Sequence, residues 1–512
     1  MGRPSGLLLS ISALLAAVLS PAAAAKNGSM LFKGGTIIAF NEKKQDLDII
    51  RGGSLLISDG IVSAITEGAY DKPLPPGTEI VDATGDILTP GFIDTHRHGW
   101  QTAYRTIGSN TTLAEYFNRY GEFAADGIWS ADDVYVSQLT GLYEALNAGV
   151  TTTLDHAHNT WSKATTDAGV QASIDSGARV FWCFGFHNVS NFPFEQQLAK
   201  FQELADSRRF SGQASSLGIA YDAFNPGSAQ QTESIIQLAM DYNVSVVTTH
   251  SLPKAYGVSL TMCAVINSPE DLHALGFLNS SVPIVFSHAS FLTPTGARLL
   301  RETNQYISIT AESEMHYGHD HPYNHMIQDQ ASLGVDTHFT FSTDILTQAR
   351  IWLQYVRLTL YRWLAQNYEV ATKNPMSVDQ AFLLATRSGG LALHRPDLGV
   401  LSVGAAADVV VWDGSSPGML GWHDPVAAVM LHAGVGDVKH VMVDGKMKKR
   451  DGKLLVPKYQ DLQRKFVDVA KRIQSTWLAM PPTVLEGDFA MSGYPLAVPP
   501  LADVVRGDES GY

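Results

Sequence analysis

The chain contains little cysteine and little charge. Two cysteines among 512 residues, Cys183 and Cys263, allow at most one intrachain disulfide. This excludes a disulfide scaffold and a zinc site built from cysteine. Charged residues make up 17% of the chain, below the ordinary share of about 25%, which disfavours disorder and coiled coil. The chain is therefore a compact globular protein, in which any metal must be bound by histidines and carboxylates.

Positive charge is also scarce. The chain has 36 Lys and Arg against 50 Asp and Glu, a formal net charge of -14. A field of this sign repels polyphosphate and anionic lipid. We therefore expect neither nucleic acid nor a membrane as partner, and a small molecule as substrate. The sequence leaves homo-oligomer formation open.

The first 25 residues have the composition of a secretory signal peptide. The apolar run from residue 7 to 19 is shorter than the roughly 20 residues that span a bilayer. Ala23 and Ala25 suit cleavage before Lys26. We therefore expect a secreted mature chain, with a signal anchor as the alternative. Sites compatible with N-glycosylation occur at Asn27, Asn110, Asn188, Asn243 and Asn279.

The remaining chain divides into three parts. Short alternating runs with Asp-Gly turns at both ends predict one small, β-sandwich-like domain composed of residues 26–90 and 395–460. Residues 91–394 lie between these two segments. Residues 461–512 form a C-terminal extension whose role the sequence does not reveal.

The central part alternates short apolar runs with longer helical segments, which is typical of parallel strands joined by right-handed crossovers. Eight such units predict an α/β fold, namely a (β/α)8 TIM barrel. The alternative, an open doubly wound sheet, is less favoured because the sequence contains no glycine-rich nucleotide-binding loop. Cys183 lies in the third predicted strand and Cys263 follows the fifth. Because these strands are not adjacent, we expect the two cysteines to be unbridged. The predicted strands are FIDTH, VTTTLDH, ARVFWCFGF, LGIAYDAF, VSVVTTH, VPIVFSH, YISITAE and HFTFSTD.

Titratable residues stand at the ends of four predicted strands. His96 and His98 are two residues apart, so both imidazoles project from one side of an extended segment and can bind one ion. His250, His288 and Asp344 each end a later strand. Catalytic groups of TIM barrels lie at these carboxyl ends. The sequence therefore predicts a metal site there.

The motifs PGFIDTHRH, TTHS, FSHASFLT and FSTD, together with the flanking β-domain, resemble the amidohydrolase superfamily. The similarity extends from about residue 31 to 455 and is greatest to the chlorohydrolase and cytosine deaminase-like branch. It implies one divalent metal ion, zinc in preference to iron, bound by His96, His98, His250 and Asp344. It also implies that His288 contacts the substrate and that Asp344 transfers the proton of a metal-activated water.

One residue departs from the deaminases of this branch. They carry a glutamate three residues after the third metal-binding histidine, whereas this chain has Pro253. We therefore expect a metal-dependent amidohydrolase that hydrolyses a C–N bond in a cyclic amide, an amide or an amino-heterocycle. An aromatic-ring deaminase or dehalogenase is the alternative within the superfamily. A non-catalytic binding protein with the same fold is the second alternative.

Further candidates are suggested by their position and, for Glu314, by a similar glutamate-containing run in the family that the chain resembles. Glu314 belongs to a polar run that also contains Glu312, His316, His319 and His321, and we expect it to touch or support the substrate. His158, Trp100 and Arg105 follow predicted strand ends and are expected to bind substrate. His156 shares the His-x-His spacing with His158, and its role stays open between pocket wall and support. No lysine ends the fourth strand, which disfavours a two-metal site.

Overall fold

The computed structural model describes residues 28–224, 229–256, 266–319, 323–502 and 504–505. The predicted signal peptide, Asn27, Cys263 and His321 lie outside the described residues. Cys183 is a buried free thiol, as expected, but the prediction for the pair stays a prediction. In the described part, no helix combines the length and apolar character needed to cross a membrane.

The strands and helices alternate through the middle of the chain. The described strands are β1 Met30–Asn41, β2 Asp46–Ser58, β3 Ile61–Thr66, β4 Glu79–Asp82, β5 Ile87–Pro90, β6 Phe92–Arg97, β7 Val150–Ala157, β8 Arg179–Phe186, β9 Ser216–Tyr221, β10 Val247–Ser251, β11 Ile284–His288, β12 Tyr306–Ile309, β13 Ala331–Leu333, β14 Val409–Trp412, β15 Val438–Val443, β16 Lys446–Arg450 and β17 Lys453–Leu454. The described helices are α1 Leu113–Arg119, α2 Glu122–Ala125, α3 Ala131–Asn147, α4 Lys163–Ser176, α5 Phe194–Asp206, α6 Ala229–Asp241, α7 Pro269–Ala274, α8 Pro294–Thr303, α9 Ala311–Tyr317, α10 Ile345–Gln366, α11 Val378–Ala385, α12 Arg387–Ala392, α13 Pro425–Ala427 and α14 Tyr459–Ala479.

The eight strands from β6 to β13 form a parallel sheet in sequence order. Every residue of β7 and β8 is buried, because one face of each strand packs inside the barrel and the other against helices. The sheet closes where the amides of Val335 and Asp336 donate to the carbonyl oxygen of His96, at 2.9 and 2.8 Å. The predicted (β/α)8 barrel is confirmed.

The eighth strand is not the segment that the sequence predicted. HFTFSTD forms no strand, and the three residues Ala331–Leu333 take this place instead. Gly334 follows directly, and a Cβ atom on it would lie 2.9 Å from the Cβ of His96. Only glycine therefore lets the chain pass this close to the first strand. This correction moves the end of the eighth strand toward Asp336.

Both ends of the chain contribute to a second sheet of nine strands. Its order is β17-β16-β15-β14-β5-β1-β2-β3, with β4 paired to β1. The N-terminal β5 and the C-terminal β14 pair antiparallel, with Leu88 opposite Val411. A separate apolar cluster that includes Phe32, Ile37 and Leu55 packs this sheet. The expected composite sheet is therefore present.

The C-terminal extension returns to the barrel. Helix α14 packs on α3, and Trp477 is fully buried. The indole nitrogen of Trp477 donates to the carbonyl of Arg119, and Gln474 donates to the carbonyls of Ala103 and Arg105. These bonds fix the extension beside the loop that follows the first barrel strand, so the residues after α14 begin near the barrel mouth.

Candidate active site

Three histidines meet at the carboxyl end of the barrel. His96 and His98 come from β6 and the residue after it, and His250 lies in β10. The Nε2 atoms of His98 and His250 are 3.2 Å apart. The rings of His96 and His250 are 4.8 Å apart between centroids. The structure thus brings together the three histidines that the sequence predicted as metal ligands.

The second ring nitrogen of each histidine has a defined partner. Nδ1 of His98 lies 2.9 Å from the carbonyl oxygen of His156, and Nδ1 of His250 lies 2.8 Å from Asp222. Because a carbonyl and a carboxylate only accept, both Nδ1 atoms carry the proton and both Nε2 atoms present a lone pair. Nδ1 of His96 contacts the Ser287 hydroxyl at 2.8 Å. Its buried Nε2 has no hydrogen-bond partner in the described structure.

The carboxylate beside these rings belongs to Asp336. Its Oδ1 lies 3.2 Å from Nε2 of His98 and 3.5 Å from Nε2 of His96. Burial alone would raise the pKa of Asp336, but its contacts with the His96 and His98 rings hold the pKa well below its ordinary value. Three imidazole nitrogens and one ionised carboxylate are the donors that zinc and similar divalent ions prefer. The orphaned Nε2 of His96 and the fixed Nδ1 partners also fit such an ion.

Asp344, the predicted fourth ligand, lies elsewhere. It caps α10, where its Oδ1 accepts from the amide of Thr347 at 2.7 Å and its Oδ2 from the Thr347 hydroxyl at 2.9 Å. The structure therefore corrects the sequence prediction in position: the carboxylate beside the histidines is that of Asp336 and not that of Asp344. The physical reason is the shift of the eighth strand, which ends at Leu333, eleven residues before the end of HFTFSTD.

His288 is the last residue of β11 and lies on the Oδ2 side of Asp336, whereas His96 and His98 lie on the Oδ1 side. Its Nε2 is 4.0 Å from Oδ2 of Asp336. Its Nδ1 lies 2.9 Å from the Thr310 hydroxyl and 3.2 Å from Oε1 of Glu314. His288 and Asp336 both adopt positive φ, 68° and 65°. This conformation costs roughly 1–2 kcal/mol per residue and is typical of functional sites, where the surrounding structure maintains it.

Glu314 is fully buried in the first turn of α9. Its Oε1 accepts from the amide of Thr310 at 2.9 Å. Glu314 contacts the back of the His288 ring and is absent from the described cavity wall. Its place therefore suits support of His288, and the alternative of direct substrate contact is not what the structure shows.

A cavity of about 420 Å³ opens above the histidines, a volume that suits a small organic ligand. His98, His250, His288 and Asp336 lie on its surface. The rest of the wall is mostly aromatic and aliphatic, with a few polar groups. The larger apolar and aromatic wall residues are Leu113, Tyr116, Phe117, Phe123, Phe186, Leu252, Ile266, Tyr317 and Met491.

The remaining predicted substrate residues separate into two groups. His158 lines the cavity. Trp100 lies behind it, fully buried, and its indole donates to Nδ1 of His158 at 3.1 Å. Arg105 forms an ion pair with Glu144 and does not line the described cavity. Neither Trp100 nor Arg105 therefore lies on the described cavity wall, because the Trp100 ring packs against Trp129 and Trp161 and Arg105 pairs with Glu144.

His156 also belongs to the cavity wall. Its Nε2 lies 3.3 Å from Oδ2 of Asp222, the carboxylate that holds His250. Burial lowers the pKa of His156 to about 3, so the ring is neutral at pH 7. His96, His156 and His250 offer ligand atoms within 4.8 Å of one another, as do His96, His288 and Asp336. The two groups share His96.

Sequence reasoning missed three parts of this site. Asp336 follows a strand of only three residues. Asp222 lies near the end of the predicted strand LGIAYDAF. It is the only carboxylate in that segment, and this is the signal that identifies it. Met491 belongs to the C-terminal extension, and no sequence signal places it at the cavity. The extension turns back on itself there, with the amide of Phe489 donating to the carbonyl of Tyr494, and Ser492 donates to the carbonyl of Ala255.

Comparisons with known proteins agree with this architecture. A curated relative, 5'-deoxyadenosine deaminase of Methanosarcina mazei, is 23% identical over 80% of this chain and 91% of its own length. The crystal structure of an adenosine deaminase from Xanthomonas campestris with bound zinc has a TM-score of 0.73 at 19% identity and covers 88% of this chain and 99% of that one. Atrazine chlorohydrolase from Arthrobacter aurescens TC1 complexed with zinc has a TM-score of 0.72 at 18% identity, over 86% of this chain and 100% of that one.

The structural similarities, all below 25% identity, establish the fold. The amidohydrolase family model matches residues 87–448, which include every barrel strand and the histidines and carboxylates of the site. This match covers more than half of the chain. The protein is therefore a hydrolase of the amidohydrolase family.

Proposed function

We propose that the protein is a zinc-dependent deaminase that hydrolyses the bond between a planar nitrogen heterocycle and its amino group. The observation that carries this proposal is the convergence of three imidazole Nε2 atoms and Asp336 at the floor of a cavity with aromatic walls. His96, His98, His250 and Asp336 would hold the ion. A bound zinc ion would supply Lewis acidity and lower the pKa of a bound water toward about 7.

Asp336 and His288 have different roles in the proposed reaction. Asp336 is ionised and offers Oδ2 on the side of His288, so it can accept the proton of the attacking water and pass it to the departing amine. His288 faces the cavity through Nε2. A ring that carries both protons donates from there to the substrate atom on which negative charge develops. Glu314 provides the counter-charge at Nδ1.

The cavity wall supports a planar substrate. Tyr116, Phe117 and Phe186 offer ring faces and edges against which a heterocycle can pack. Relatives named as deaminases of 5'-deoxyadenosine and adenosine share the fold and most of the chain length. These observations favour an amino-purine or a similar amino-heterocycle.

Pro253 favours a second candidate, hydrolysis of a cyclic amide. Pro253 occupies the position where deaminases of this branch carry the glutamate that protonates the substrate ring. In the opening of a cyclic amide, the ring nitrogen is itself the leaving group, so it can receive the proton that Asp336 takes from the attacking water and no separate glutamate is required. Its product is a carboxylate and a retained amine, whereas deamination releases ammonia, so the two reactions are separated by product analysis.

The test is a product assay on zinc-loaded protein. We expect ammonia release from at least one member of a panel containing 5'-deoxyadenosine, adenosine, guanine and an amino-triazine. The matched controls are His288→Ala, expected to keep zinc and lose turnover, and His394→Ala, a histidine that contacts the carbonyl of Asn304 away from the cavity. Ring opening of lactams without any ammonia release from the panel would replace deamination with the second candidate.

We also propose that the mature chain begins near Lys26 and is secreted. The signal-like composition of the first 25 residues supports this, and the described asparagines of the glycosylation motifs, Asn110, Asn188, Asn243 and Asn279, are all exposed. N-terminal sequencing of protein from culture medium should begin near Lys26. Membrane-bound protein with an intact Met1 would contradict the proposal.

A further inference from the structure

The cavity is asymmetric in charge. Among the described residues of its wall there are four carboxylates, Glu122, Asp222, Asp271 and Asp336, and no lysine or arginine. The internal stretches that the structure does not describe, 225–228, 257–265 and 320–322, contain no lysine or arginine either. The described wall therefore presents four carboxylates to a ligand, with no lysine or arginine beside them and at most one divalent ion to counter them.

The arginines near the barrel mouth have other partners. Arg97 is fully buried and donates to the hydroxyl of Thr343 at 2.8 Å. Arg105 pairs with Glu144. Arg119 donates to the carbonyl of Trp477 at 2.7 Å. None of these guanidinium groups lines the described cavity, so none is placed to bind a phosphate or carboxylate of a ligand there.

Three of the four carboxylates have protein partners. Asp222 accepts from His250, Asp271 accepts from Ser268 at the start of α7, and Asp336 contacts the metal-site histidines. Glu122, the first residue of α2, differs from them. No side-chain hydrogen bond or ion pair connects it to another described residue, although it lines the cavity. Apart from its own backbone amide, no described residue therefore competes with a ligand for the carboxylate oxygens of Glu122.

We propose that the substrate carries no anionic group and that Glu122 accepts a hydrogen bond from an N–H, O–H or ammonium group of the substrate. The cavity thus selects uncharged or cationic heterocycles and rejects phosphorylated or carboxylated ones. Like charges brought together without a counter-ion oppose binding strongly. This inference rests on the proposed function for the ring, and it concerns the substituents that the ring carries.

The test compares ligands that share one ring and differ in charge. Purine ribonucleoside, its 5'-phosphate and its 5'-amino-5'-deoxy derivative lack a 6-amino group and cannot be deaminated, so their affinity does not depend on turnover. Isothermal titration calorimetry with zinc-loaded protein should show the ammonium compound binding at least as tightly as the uncharged nucleoside. The phosphate should bind at least about a hundredfold more weakly.

Glu122→Gln removes one charge and keeps the side-chain size. We expect it to reduce the preference for the ammonium compound over the phosphate at least about tenfold. The matched control is Glu115→Gln on the adjacent helix α1, whose carboxylate pairs with Arg119 outside the cavity wall, and it should leave the preference unchanged.

Equal affinity for the phosphate and the uncharged nucleoside would overturn the proposal, as would an unchanged preference in Glu122→Gln. Failure of all three compounds to bind would exclude purine nucleosides and overturn it as well. If the expected order of affinities holds but no panel compound releases ammonia, the deaminase proposal fails while the charge selection stands.

Discussion

Substitution of two aspartates eight residues apart distinguishes the structure-based site from the sequence-based one. Asp336→Asn keeps the side-chain size but removes the ionised carboxylate that lies 3.2 Å from Nε2 of His98. Asp344→Ala is the harsher change, and it is made where the structure shows only a helix cap. If position decides the outcome, the milder substitution at Asp336 will be more damaging than the harsher one at Asp344.

We expect Asp336→Asn to lose zinc and turnover together. Loss of a positioned proton acceptor typically lowers the rate by about 100- to 10,000-fold, and loss of a metal ligand adds to this. In Asp344→Ala, the amide and hydroxyl of Thr347 lose their acceptor. Removal of an N-cap costs about 1 kcal/mol of stability, and zinc content and turnover should stay at the level of the unchanged protein.

Three measurements on each variant decide between the positions. Elemental analysis after dialysis gives zinc per chain, ammonia release gives turnover, and urea denaturation gives the free energy of unfolding. If Asp336→Asn retained zinc and activity, the site derived from the structure would be wrong. The same conclusion would follow if folded Asp344→Ala lost its zinc.

Three further outcomes follow from particular contacts. His288→Ala should keep zinc and lower turnover at least about a hundredfold, and a metal-free variant in elemental analysis would contradict its assigned role. Deletion of residues 485–512 removes Met491 from the cavity wall and should raise KM several-fold with zinc content unchanged, and an unaltered KM would show that the extension does not shape the site. Burial lowers the pKa of Lys449 from 10.5 to about 8. The folded state therefore binds fewer protons than the unfolded state between these values, and stability rises with pH from about 8 to 10.5. Lys449→Met should abolish this rise in urea denaturation curves and stabilise the protein at pH 7, whereas a persisting rise would assign it to another group.

Most of the barrel could be predicted because its strands are buried on both faces. Strands such as β7, β8 and β11 are short apolar runs followed by polar residues, and this pattern is visible in a single sequence. The histidines at their ends fall at the barrel mouth by the geometry of the fold alone. His96, His98, His250 and His288 were therefore identified from the sequence, whereas their mutual distances required the structure.

The role of the C-terminal extension had no comparable sequence signal. Its residues Met491 and Phe489 come near the barrel mouth only because α14 is anchored by Trp477 and Gln474 to the loop after β6. These are contacts between residues more than 350 positions apart. Periodicity and turn signals report local structure, and they carry no information about which distant surface a helix will cover.

The misplaced aspartate has a different cause. HFTFSTD alternates apolar and polar residues over its first five positions, which is the pattern of a half-buried strand, and it ends in an aspartate as the predicted site required. Ala331–Leu333 is too short to show any period. The constraint that selects it is closure: Val335 and Asp336 must donate to the carbonyl of His96, and Gly334 must pass within van der Waals contact of that residue. Both requirements concern residues some 240 positions away in sequence, so the last strand of a closed barrel is determined by the first one, and Asp336 reaches the histidines because the barrel closes there.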